Sequence, residues 1–178
     1  MNTKRLAIIV GAIIVLSTIF YVWLGGFKDP QLSLRSDVSY QLSGTLYKGH
    51  FNHPRVKALF DVARGRVQSA GNTGAIAIFY PGGEAPEQDT INHFIAFWPG
   101  KGPDDAHPDS QTRTIAAAQA IVVTLTMHPL VMPDKEQVRS LAEELATQNK
   151  LTLGTQSLEL YYPDNQMEII FFPEGTAF

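Results

Sequence analysis

Hydrophobic and polar positions along this chain follow three patterns. Leu6 to Leu24 is 19 residues without a charge, interrupted only by Gly11, Ser17 and Thr18; as a helix it reaches roughly 28 Å at about 1.5 Å per residue, enough to cross a bilayer. Helical stripes come next. Val56, Leu59, Phe60, Ala63 and Val67 recur at i, i+3, i+4, i+7 and i+11, after His53-Pro54 and before Gly71, which suits a left-handed helix end. Val138, Leu141, Ala142 and Leu145 form a second stripe, with Asp134 and Gln137 as the N-cap pair and Asn149 at the C-terminal left-handed position. The third pattern is β-rich: Ser39–His50, weakened or bulged at Gly44 and Gly49, then Gly74–Tyr80, Ile91–Trp98 and Ala118–Met127. Last comes Gln156–Phe172, a hairpin turning at Pro163-Asp164-Asn165. In its first arm Leu158, Leu160 and Tyr162 share one face, and Ser157, Glu159 and Tyr161 share the other.

The two halves agree in order. A shift of 138 − 56 = 82 sets Val56-Lys57-Ala58-Leu59 on Val138-Arg139-Ser140-Leu141, and the same shift sets Tyr80-Pro81 on Tyr162-Pro163. The third strands also correspond, Ile95 to Pro99 with Ile169 to Pro173. Strand, helix, strand, strand, twice over, predicts an α+β domain of two pseudo-symmetric repeats, with helices on one face of an antiparallel sheet and a single transmembrane helix in front. The expected divisions are 1–28 anchor, 29–37 linker and 38–178 domain, the last split into 38–100 and 114–178 around a polar linker at 101–113. With this shift, Ile76, Ile78 and Tyr80 match Leu158, Leu160 and Tyr162 on the helix-covered face, and Glu159 takes the place of Ala77 on the opposite one.

Charge refines the picture at both ends. Lys4 and Arg5 precede the apolar run, and Phe20, Tyr21 and Trp23 gather at its far end. This places the amino terminus in the cytoplasm and the domain outside it, periplasmic or extracellular in a bacterium, with the segment retained rather than cleaved. All 17 Asp and Glu follow residue 27, so the remainder carries 12 − 17 = −5, which argues against a nucleic-acid partner. There is no cysteine, hence no disulfide, thiolate metal site or cysteine nucleophile. His50 and His53 stand at i, i+3 without a third ligand at a metal-binding spacing, and Lys101-Gly102 lacks the flanking residues of a phosphate loop, so neither metal nor cofactor is expected.

The twofold order, the strand Ile76-Ala77-Ile78-Phe79-Tyr80, and Leu158-Glu159-Leu160-Tyr161 followed by Ile170-Phe171-Phe172-Pro173 resemble the GyrI-like small-molecule-binding domain family. This family lies in the wider group that includes the SOUL haem-binding proteins, and the resemblance covers roughly Tyr40 to Pro173. It implies a cleft between the halves, lined by aromatic rings around one acid, as in effector domains of multidrug-responsive transcription regulators. By motif Glu159 is the implied pocket acid, Tyr161 stands beside it, and Phe171 is the aromatic residue of the last strand. Phe79 joins them by symmetry with Tyr161. The implied partner is a small amphipathic or cationic ligand, bound without catalysis by a membrane-anchored domain whose membrane contact is residues 6–24. Two other readings belong to other classes: a membrane-tethered protein-interaction adaptor, and a hydrolase similar to the family's cyclopropane-ring hydrolases, in which Glu159 handles water and a tyrosine assists.

Overall fold

The computed structural model describes residues 3–82, 89–100 and 110–178, with side chains from Ile9 onward. Its elements run α1 (Thr3–Trp23), β1 (Gln31–His50), α2 (Pro54–Ser69), β2 (Ala75–Tyr80), β3 (Thr90–Trp98), β4 (Gln111–Leu125), a 3₁₀ turn at Pro129–Val131, α3 (Lys135–Gln148), β5 (Leu153–Tyr161) and β6 (Met167–Pro173). The order strand, helix, strand, strand therefore occurs twice after α1. All neighbouring strands are antiparallel, and they close into a barrel in the order β1-β3-β2-β5-β6-β4. Closure leaves no unpaired sheet edge, something an open sheet cannot avoid.

Burial separates an inner from an outer set of side chains. Leu42, Ala77, Phe79, Phe94, Leu158, Leu160, Ile170 and Phe172 fill the interior. On the outside, Val138, Ala142 and Ala146 of α3 pack on Ile121, Val123, Met167, Ile169 and Phe171. The expected helix-covered face is thus corrected: Leu158 and Leu160 point into the barrel, and Glu159 lies on the outer face that α3 covers. Ala77 and Phe79 of β2 share the interior with Leu158 and Leu160 of β5. The two strands are therefore in phase with a shift of 158 − 77 = 81 rather than 82, and one residue exchanges the faces of a strand.

β1 and β4 are longer than the sequence pattern predicts. Gln31 to Ser36, expected as linker, pair with Thr124 to Gln119. Asp37 marks a change of face within β1. It is left-handed at φ 51°, and Leu32 and Leu34 before it face the outer cluster while Val38, Tyr40 and Leu42 after it face the inner one. These apolar residues keep even positions throughout, yet they change face at Asp37. Gln111 to Arg113, also expected as linker, belong to β4; residues 101–109 lie outside the described residues.

Local capping follows the sequence closely. Asp134 Oδ1 accepts the Gln137 N–H at 2.8 Å, and Gly71 is left-handed at φ 67° after α2. At the end of α3 the left-handed residue is Lys150, at φ 59°, rather than Asn149. Two histidines are helix caps: His53 Nδ1 accepts the Arg55 N–H, and His128 Nδ1 accepts the Leu130 N–H. Side chains of α1 from Ile9 to Trp23 are exposed and almost wholly apolar, ending with Trp23 at 78 %. Within the described residues, no helix is long and apolar enough to cross a membrane.

Candidate functional site

Glu159 sits on β5 between Ile78 of β2 and Ile169 of β6. It is only 3 % exposed. A carboxylate so placed needs partners, since burying an uncompensated charge costs several kcal/mol. Three groups supply them. Tyr80, the last residue of β2, donates its hydroxyl to Oε2 at 2.7 Å, and Tyr161 donates to the same oxygen at 2.6 Å. Lys135, the first residue of α3, approaches Oε1 at 3.1 Å and donates to the Tyr80 hydroxyl oxygen at 3.1 Å. Its ammonium also lies 4.7 Å from the centre of the Tyr80 ring.

Above this floor is a cavity of about 210 Å³ lined by Tyr80, Lys135, Arg139, Thr155, Ser157, Glu159, Ile169 and Phe171. Arg139 follows Lys135 by one helical turn and lies over the Phe171 ring. It donates to Glu143 Oε1 at 2.8 Å and to the Gly154 carbonyl at 3.2 Å. The cleft thus has one apolar wall, Phe171 and Ile169, one hydroxyl-bearing edge, Thr155 and Ser157, and a charged corner.

Burial, reinforced by the negative charge and hydrogen bond of Glu159, pushes the Tyr80 and Tyr161 hydroxyls well above the ordinary 10.0, so both remain protonated donors. His93, whose ring packs edge-on against Tyr80 at 4.3 Å, is held below its ordinary value by desolvation and then by Lys135, with Glu159 opposing.

Of the expected site residues, Glu159 and Phe171 line the cleft, and Tyr161 reaches it through its hydroxyl. The Tyr161 ring lies on the far side of Glu159, at a second concavity with Arg64, Gln68 and Tyr162. Phe79 is elsewhere. It is 0 % exposed inside the barrel, packed edge-on against Phe178. Sequence reasoning missed Tyr80, Lys135 and Arg139. The shift of 81 would have found Tyr80, since it sets Tyr80 on Tyr161, each the last residue of its strand. A further cavity of about 150 Å³ near Leu59, Arg66 and Phe97 has no carboxylate in its lining. A second buried acid, Glu168, accepts hydrogen bonds from Arg35 and Tyr162 and lines none of these cavities.

No family model matches the chain, and no curated protein matches it. Solved structures do. A hydrolase from Listeria innocua is 12 % identical, with a TM-score of 0.51 over 87 % of this chain and 98 % of that one. An integron cassette protein from the mobile metagenome of Vibrio cholerae is 13 % identical, with a TM-score of 0.50 over 82 % of this chain and 97 % of that one. At such identities these likenesses show a shared fold and nothing further.

Proposed function

We propose that this chain is a membrane-anchored domain that binds a small amphipathic molecule, cationic or neutral, in the cleft beneath α3 without transforming it. The observation that carries the reading is a concave site with an apolar wall of Phe171 and Ile169 and a single buried carboxylate held by two protonated tyrosines. Flat apolar area and one fixed charge are what such a ligand needs. The GyrI-like resemblance in sequence supports the same reading. For the anchor, the support is the apolar run from Leu6 to Leu24, whose side chains from Ile9 to Trp23 are exposed all round rather than packed on the barrel. The cytoplasmic amino terminus follows from Lys4 and Arg5 and belongs to the proposal.

Two measurements test this reading. The full chain should remain in the membrane pellet after alkaline carbonate extraction, while residues 24–178 should not; extraction of the full chain would remove the anchor. For the cleft, aromatic cations should raise the melting temperature of wild type and not of Glu159→Gln. A second reading, hydrolysis, draws on the same Glu159–Tyr161 pair, a carboxylate for water and a hydroxyl for the leaving group. Product formation from a strained-ring substrate, abolished in Glu159→Gln, would select it.

A further inference from the structure

The cleft already holds a cation of its own. The Lys135 ammonium is within 3.1 Å of the Glu159 carboxylate, donates to the Tyr80 oxygen, and lies against the Tyr80 ring. Carboxylate, phenol oxygen and aromatic face are the groups that would recognise a cationic ligand here. Only the head of Lys135 is engaged. Its side chain is 73 % exposed against 4 % for Glu159, so it can leave into water without disturbing packed atoms, whereas the carboxylate cannot follow. Position keeps it near: Lys135 opens α3 directly after the capping Asp134, which gives the ammonium a high effective concentration at Glu159. Arg139 does not share this part, being held by Glu143 and the Gly154 carbonyl.

We propose that Lys135 is an intramolecular occupant of the cleft's cation position, so that a cationic ligand binds by displacing it and Lys135 sets the affinity threshold of the site. This rests on the ligand-cleft reading above and adds a selectivity to it. A primary ammonium offers Glu159 and Tyr80 what Lys135 already offers and gains little by exchange. An aryl quaternary ammonium gives up less hydration and brings a ring for Phe171 and Ile169, so it has a net reason to enter. The favoured class is therefore compact aryl cations with weakly hydrated charge, of a size matched to about 210 Å³.

Benzyltrimethylammonium, titrated calorimetrically into the full chain in detergent, tests this on wild type, Lys135→Met, Lys135→Gln, Lys135→Arg and Glu159→Gln. If the internal ion pair has the strength usual for a partly exposed one, Lys135→Met and Lys135→Gln each tighten binding by about two- to fivefold. Lys135→Arg should stay close to wild type, because a cation still occupies the position. Butylammonium, an analogue of the Lys135 head, should bind wild type more weakly than the aryl cation. Equal affinities in wild type and Lys135→Met, with binding lost in Glu159→Gln, would overturn the role of Lys135 and leave the cleft reading standing. Weaker binding in Lys135→Met would also overturn it, by making Lys135 a ligand contact. No binding by any variant would remove both. Lys135 is exposed and replaced by good helix formers, so the variants should fold as wild type does, with a lower melting temperature only to the extent that one partly exposed ion pair is lost.

Discussion

At the residue scale the arrangement turns on one buried carboxylate whose two oxygens are both engaged. Tyr80 and Tyr161 share Oε2, and Lys135 takes Oε1. Replacing Glu159 by Leu would leave two partly buried hydroxyls without their acceptor, and each should cost about 1 kcal/mol in urea unfolding. The hydroxyls themselves give a pH test. Their folded pKa values lie above the unfolded value of 10.0, so their contribution to stability is complete below about pH 10 and is lost as pH rises further. In an alkaline absorbance titration Tyr80→Phe and Tyr161→Phe should each remove amplitude only from the part above pH 10; loss of amplitude below it would contradict the buried, carboxylate-bound hydroxyl. Phe79 separates packing from binding. Phe79→Ala should destabilise the fold by about 3–5 kcal/mol, as expected for an emptied core position, without changing affinity for a cleft ligand in the folded fraction. Glu159 and Phe171, which the resemblance picks out, line the candidate cleft, and Tyr161 is joined to it by its hydrogen bond to Glu159. Phe79 was misplaced by a register error of one residue, and Lys135 carries no sequence signal beyond standing next to an N-cap.

At the element scale the barrel depends on two long strands that change face along their length. Four strands and the two helices packed on them were readable from periodicity, because β2, β3, β5, β6, α2 and α3 each keep one phase throughout. β1 was readable only from Ser39 on, since Gln31 to Asp37 holds just two apolar residues, Leu32 and Leu34, and reads as linker. Closure of the sheet is likewise a tertiary fact: it follows from β1 pairing with both β3 and β4, and nothing in either strand alone demands it. Gly44 shows how tightly this pairing is made. A Cβ there would fall on the Ile95 carbonyl oxygen and the Ala96 Cα of β3, both backbone atoms with nowhere to move. Gly44→Ala should therefore cost about 1–3 kcal/mol, the usual range for overpacking, whereas Gly71→Asn, at a left-handed position open to solvent, should cost less than about 1 kcal/mol. Equilibrium urea melts of the two variants would decide the ordering.

At the scale of the whole molecule, the residues just after α1 are tied to the barrel. Leu24 is buried, its carbonyl accepts the His128 N–H at 2.9 Å, and Lys28 donates to the Thr126 carbonyl at 3.2 Å. Residues just after the helix therefore belong to the folded body, although the sequence reads them as anchor and linker. Residues 24–178 should melt as the full domain does, while removing Leu24 to Asp29 as well should lower the melting temperature, because a buried leucine and two tertiary hydrogen bonds are lost. Equal melting of both truncations would show the junction to be loose. The central claim is that the outer-face cleft around Glu159 takes a small amphipathic ligand. It is tested most directly by the ligand-dependent stability of residues 24–178, wild type and Glu159→Gln side by side, against aryl cations and their neutral isosteres. At a hundred times its dissociation constant, a true ligand adds about 2.7 kcal/mol to wild type. The account predicts that gain for an aryl cation in wild type and its loss in Glu159→Gln. The same gain in both proteins, or none in either, would contradict it.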